Sequence, residues 1–210
     1  MSEPQQYVLA ISTKTSGMPD FQAALDAQVQ PDILSIAAVL FAPHWESDST
    51  PIVSSYYSLC KPIQAVNWKE EHIIKSGITQ EAVENLGIDL DTMLPVVYEL
   101  CQKADLIIAY GKNFDKWMLR IAEARAFESD EFDALELTSV MQLATPVCRI
   151  AKVKGSGYKW PKLQEAYELL CVGTDEKPPD ESEYGNALGD AVKTFDIWWA
   201  IVTNQEADDG

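Results

Sequence analysis

The side chains that could do chemistry are unevenly stocked. The chain has two histidines, His44 and His72, and four cysteines, Cys60, Cys101, Cys148 and Cys171. None of the cysteines forms a Cys-x-x-Cys pair, so no zinc spacing is present. Two histidines cannot build a histidine-rich metal site. Free thiols in a reducing compartment are the expected state of the cysteines. Carboxylates remain as the reactive groups in quantity, with 33 Asp and Glu against 16 Lys and Arg. Two of them sit among apolar residues at helical spacing, Asp115 and Asp190. Read as plain structure, Asp115 complements the amide-rich start of a helix, and Asp190 forms a salt bridge. Trp198 and Trp199 lie in an apolar helical period and read as core. His44 and Trp45 fall in a loop with Pro43, and no chemistry is assigned to them.

The elements that must position these groups follow from periodicity. Tyr7–Thr13, Ile33–Phe41 and Val53–Leu59 are rich in β formers, with Gly, Pro and Asp clusters between them, which predicts an antiparallel meander. Trp68–Ile74 has a short helical period. Thr79 reads as the N-cap of a helix that Gly87 stops. Leu90–Ala104 carries Met93, Leu94, Val97, Leu100 and Cys101 at helical spacing. Leu106–Ala109 reads as a strand and Phe114–Ala126 as a helix. Phe127–Glu136, with five acids and no base, predicts a solvated loop. Helices follow over Val140–Cys148, Lys162–Cys171 and Asn186–Asn204, with an exposed linker at Thr174–Tyr184. The order predicts an α/β fold, a mixed sheet of about five strands with helices packed on both sides.

At 210 residues, 47% of them hydrophobic, the chain suits one domain with a sizeable core, taken as 1–205 with an acidic tail at 206–210. No apolar run reaches the roughly 18 residues of a membrane span. The start, Met-Ser-Glu-Pro-Gln-Gln, lacks signal-peptide character. A cytoplasmic protein is expected. The net charge of −17 opposes tight binding to nucleic acid, whose affinity rests on cations meeting phosphate.

Several segments, in order, resemble the DEDD superfamily of 3′–5′ exonucleases, the ribonuclease-H-like fold of proofreading subunits and RNase T. Ile11-Ser12-Thr13-Lys14-Thr15-Ser16-Gly17 stands where that family has a strand bearing Asp-x-Glu. The run Ile33-Leu-Ser-Ile-Ala-Ala-Val resembles its second strand, and Gly77-Ile78-Thr79 resembles its His-Gly-Ile-Thr segment. Ala109-Tyr110-Gly111-Lys112-Asn113-Phe114-Asp115 is similar to Ala-His-Asn-x-x-Phe-Asp. Tyr158–Leu163 resembles the stretch before the family's last helices. Gly185-Asn186-Ala187-Leu188-Gly189-Asp190-Ala191 is similar to His-x-Ala-Leu-x-Asp-Ala. The resemblance runs from Tyr7 to about Val202.

What it implies is a site that holds two divalent ions about 4 Å apart on four carboxylates, with a histidine or tyrosine as general base. This chain departs from that plan. Ser12 and Lys14 replace the first two carboxylates, Asp115 and Asp190 are kept, and Gly185 replaces the base. Tyr184 has the wrong spacing to Asp190 for that role. The resemblance therefore implies a catalytically degenerate member, with no intact catalytic residue, no cofactor and no metal. Alternating strand geometry sends Ser12 and Lys14 to one face, predicted to look towards Asp115 and Asp190. Lys14 Nζ is then expected within about 4 Å of at least one of the two aspartates. The function expected is an acidic pseudo-exonuclease that binds the basic surface of a nucleic-acid-handling protein. A DNA-mimic inhibitor, or a phage factor that captures a host enzyme, fits this description. The alternative is an active exonuclease that keeps magnesium or manganese on Asp115 and Asp190 and recruits Asp20 or Glu165.

Overall fold

A computed structural model describes residues 6–43, 52–172 and 186–209, with side chains described as far as 204. Gly185, Tyr184, His44, Trp45 and the Thr174–Tyr184 linker lie outside the described residues.

Five strands form the sheet: β1 (Val8–Thr15), β2 (Ile33–Phe41), β3 (Ile52–Leu59), β4 (Leu106–Ala109) and β5 (Leu137–Ser139). Their spatial order is β3-β2-β1-β4-β5. β1 and β2 pair antiparallel, as do β2 and β3. β4 lies parallel to both β1 and β5. The mixed sheet, the antiparallel first three strands and the central place of the first strand agree with the sequence expectation. β1 runs two residues further than expected, because Lys14 still pairs with Ser35 and Thr15 with Ile33.

Period-2 alternation in β1 builds two cores. Leu9 and Ile11 face one side, against Met93, Leu94 and Val97 of α3 (Leu90–Lys103) and Met118, Leu119, Ile121 and Ala122 of α4 (Lys112–Phe127), numbering the short helices Glu71–Lys75 and Gln80–Leu86 as α1 and α2. Val8 and Ala10 face the other, against Val140 and Ala144 of α5 (Val140–Cys148) and Ala191, Phe195 and Trp198 of α7 (Ala187–Asp209). Phe195 stacks on Phe41 with ring centroids 3.8 Å apart. Trp198 is buried, as expected of a core residue.

Three local expectations are corrected. The acidic stretch Phe127–Glu136 is not a free solvated loop. It holds a 3₁₀ turn at Glu131–Ala134, and Phe132 is sunk into the first core. Glu123 accepts from the Phe132 N–H at 2.9 Å, and Arg120 holds Asp130 at 2.7 Å and Asp133 at 3.1 Å. One buried aromatic and one arginine outweigh the composition. The helix expected over Lys162–Cys171 is α6 (Leu163–Tyr167), which widens into a π-helical turn at Glu168–Val172. The last helix continues five residues past Asn204, to Asp209, since no Gly or Pro before Gly210 interrupts it. All four cysteines are free, with Cys60 and Cys101 buried. Among the described residues no helix is long and apolar enough to cross a membrane.

Candidate functional site

Three elements converge at the C-terminal end of β1: the strand itself, the first turn of α4 and the first turn of α7. Asp115 lies in that first turn of α4. Its side chain is buried and its Oδ1 accepts two hydrogen bonds from Thr13, from the backbone N–H and from Oγ1, each 2.9 Å. Burial is the largest influence on this carboxyl and pushes its pKa up to about 7, against the opposing pull of the two Thr13 bonds. Nearby Asp190 pushes it further up and nearby Lys14 pulls it down, so the three charges form one electrostatic cluster.

Asp190 lies in the first turn of α7. The Asn186 side chain caps this helix by accepting from the Gly189 N–H at 2.8 Å. The Asp190 Oδ2 meets Lys14 Nζ at 2.7 Å, with side-chain exposures of 22% and 24%. The geometry expected for Lys14 is therefore present. The ammonium sits on one of the two retained carboxylates.

Ser12 is buried on the same strand face as Lys14 and stands opposite Ala37 of β2. α4 packs on the side of Leu9 and Ile11 and its Asp115 is met by Thr13, while α7 packs on the side of Val8 and Ala10 and its Asp190 is met by Lys14. Lys14 is also near enough to Asp115 to pull its pKa down, so the ammonium and both aspartates share one end of β1. Thr13 is the residue that sequence reasoning missed. Its only signal was a hydroxyl next to the site on the other strand face. Gly185 lies outside the described residues.

The two acids named as substitute ligands are engaged elsewhere. Asp20 accepts from the Gln22 N–H at 2.9 Å, and its backbone is bracketed by Gln30. Glu165 is held by Lys159 at 2.6 and 2.9 Å and accepts from the Lys162 N–H. Among the described residues, no three Asp, Glu, His or Cys side chains gather to hold a metal ion. Among the described residues, the donor set at the end of β1 comprises one buried carboxyl bonded to Thr13, one carboxylate on an ammonium, and the Ser12 hydroxyl. A pair of divalent ions needs several anionic oxygens with free lone pairs, and this set does not fit them.

No family model matches the sequence, and no curated protein does. Solved structures do match in three dimensions. E. coli exonuclease I, crystallised with a dA16 oligonucleotide, superposes with a TM-score of 0.63 at 14% identity over 97% of this chain and 42% of its own. A full-length 3′-exonuclease gives 0.65 at 15% identity, over 97% of this chain and 62% of that one. The chain has the ribonuclease-H-like exonuclease fold. An exonuclease I from Methylocaldum szegediense, moderately thermophilic, gives 0.62 at 14% identity. The chain spans about two fifths of the length of the exonuclease I structures. At such identities the likeness establishes the exonuclease fold alone.

Proposed function

We propose that this protein is a non-catalytic exonuclease-fold module that works by binding, with its acidic surface docked on the basic face of a nucleic-acid-handling protein in the cytoplasm. The observation that carries the reading is the Lys14–Asp190 pair at 2.7 Å. A tethered cation on a would-be ligand repels a divalent ion and removes a lone pair it would need. Ser12 adds no charge, and burial pushes the Asp115 carboxyl up to about 7, which weakens it as an anionic ligand near neutral pH. Such a centre lacks the charge neutralisation on which two-ion phosphodiester cleavage depends. The net charge of −17 supports the kind of partner. Glu128, Asp130, Glu131, Asp133 and Glu136 are all exposed on one surface stretch. Arg120 organises two of these acids into fixed positions, as a mimic of a phosphate row requires. Inhibition by charge mimicry acts through fast, salt-sensitive association.

The test has two arms. Purified protein is incubated with end-labelled single-stranded and duplex oligonucleotides in millimolar magnesium or manganese. No shortening of either strand is expected. Stepwise 3′ shortening that is lost in Asp115→Ala would overturn the reading and restore the exonuclease. In the second arm, the protein is titrated into complexes of labelled DNA with purified sequence-nonspecific DNA-binding proteins. Release of DNA that fades as salt rises supports charge mimicry. Unchanged occupancy across the set, together with submicromolar oligonucleotide binding by the chain itself, overturns it.

A further inference from the structure

One segment inverts the character of the whole molecule. Arg149–Lys162 reads Arg-Ile-Ala-Lys-Val-Lys-Gly-Ser-Gly-Tyr-Lys-Trp-Pro-Lys, with five cations and no acid in fourteen residues of a chain that carries −17 overall. It forms a projecting hairpin. Ala151 bridges Tyr158 antiparallel, the Lys159 N–H donates to Ile150 O at 2.9 Å, and the Lys152 N–H donates to Gly157 O at 3.3 Å. Gly155 and Gly157 turn the chain with φ of +86° and +88°, a region open to glycine at little cost. The base is fixed to the body. Lys159 pairs with Glu165, and the Tyr110 hydroxyl donates to Pro161 O at 2.7 Å.

Of the remaining cations, Arg149 donates from Nε to Pro146 O at 3.3 Å and keeps its other guanidinium N–H groups for a ligand. Arg149, Lys152, Lys154 and Lys162 make no ion pair with a described residue. Val153 is 97% exposed, Tyr158 44% and Trp160 65%. Exposure of two large aromatics on a stretch with no core to cover is unusual and marks an interaction surface. Lys159 turns to Glu165, and the two rings on either side of it, Tyr158 and Trp160, are left exposed. Exposed rings beside cations form a platform on which bases stack whatever their sequence. Lys152 and Lys154 on the facing arm supply phosphate contacts.

We propose that the Arg149–Lys162 hairpin is a single-stranded nucleic-acid clamp, in which Tyr158 and Trp160 stack on a base and Arg149, Lys152 and Lys154 bind the flanking phosphates. None of its residues pairs with Lys14 or Asp190, and it goes beyond the proposed docking on a basic protein. The body's negative charge repels the strand at long range, so the clamp is weak alone. It gains strength when the acidic surface is already docked and holds the hairpin beside a strand. An acidic peptide would satisfy the cations and leave the rings unused; an anionic membrane would find only Val153 to bury.

The experiment is fluorescence anisotropy of a labelled oligothymidylate with the whole protein in the absence of divalent metal. Binding is expected at roughly 10–100 μM in ~50 mM salt, weakening as salt rises. Trp160→Ala should lose about tenfold in affinity. Lys152→Glu with Lys154→Glu should abolish measurable binding, with thermal melting confirming that both variants remain folded. Duplex of the same length should bind more weakly than the single strand and be indifferent to Trp160→Ala. Equal binding by wild type and both variants, or no binding at all, overturns the proposal. Tighter binding to polyglutamate or to phosphatidylserine vesicles than to the oligonucleotide also overturns it, in favour of that ligand. The nuclease arm of the earlier test is unaffected by any of these results, so the two readings fail separately.

Discussion

Replacing Lys14 with methionine tests the assignment of this side chain as an internal counter-ion. The substitution keeps the length and most of the apolar stem and removes the charge. Its consequence follows from the 2.7 Å contact with Asp190 and from side-chain exposures of about a quarter on both partners. Fully exposed pairs contribute about 0.2–1 kcal/mol, because water screens them. Breaking a fully buried pair costs about 3–5 kcal/mol, because a charge is left without a partner. At intermediate exposure the expected loss is about 2 kcal/mol. For a chain of this size that corresponds to a fall of roughly 4–8 °C in Tm. Asp115 adds a pH signature. Its carboxyl is pushed up to about 7, so it is mostly neutral at pH 6 and mostly ionised at pH 8. Lys14→Met removes the cation that favours the ionised form of Asp115, and since that form prevails at pH 8, the loss should be larger at the higher pH. Urea denaturation of wild type, Lys14→Met, Asp190→Asn and the double variant completes a thermodynamic cycle. A coupling of about 1–2 kcal/mol is expected, with the double variant more stable than Lys14→Met. Millimolar magnesium should stabilise Lys14→Met more than wild type, since two carboxylates then stand without a cation. A coupling under about 0.3 kcal/mol, or a Lys14→Met protein as stable as wild type at both pH values, would refute the counter-ion argument.

Two further outcomes are expected. The Asp115 pKa rises from 3.8 to about 7 on folding, so the folded protein holds a proton that the unfolded chain releases earlier. The sign is destabilising upwards: the contribution is intact below about pH 4 and is lost as pH rises to 7, by up to roughly 4 kcal/mol. Half-buried Asp196, pushed up to about 6 by desolvation, acts in the same direction. Asp115→Asn keeps an acceptor for Thr13 and should raise Tm at pH 8 while leaving it almost unchanged at pH 4; equal effects at both pH values would contradict this. The Arg125 side chain is 7% exposed and holds Asp32 Oδ1 at 2.6 Å, Gln30 O at 2.7 Å, Ala27 O at 3.0 Å and Pro31 O at 3.1 Å. Arg125→Lys should cost about 2–4 kcal/mol, because one ammonium cannot span the fork. Limited proteolysis should then cut within 17–31 first. Wild-type stability in this variant would show the network to be dispensable.

The site's two halves differ in how they could be read. Lys14 was legible because two local facts fix it: period-2 alternation puts it on the face of Ser12, and the α7 pattern places Asp190 in a first turn. The relation to Asp115 was not legible in the same way. The pattern Phe114-Asp115 signals a helix start, yet nothing in it says on which side of the sheet that helix lies. The acidic stretch at 127–136 failed for a similar reason. Five acids describe its average, whereas its place is decided by Phe132, which finds a gap between α3, α4 and β5, and by Arg120, which comes from another element.

What the sequence determined by itself is everything that depends on neighbours along the chain. It set the three early strands, the helical periods of α3, α4, α5 and α7, the two faces of β1, and the absence of charge at Ser12 and of an acid at Lys14. Which face receives which helix is settled by packing between distant segments. α4 closes over the odd residues of β1 and α7 over the even ones. That choice gives Asp115 Thr13 as its hydrogen-bond partner and gives Asp190 the ammonium of Lys14. It raises one aspartate's pKa through burial and fixes the other on Lys14. Periodicity specifies that a strand has two sides and what each side carries. Only the packing of distant segments, governed by connection handedness and by which apolar surfaces fit, specifies what each side meets.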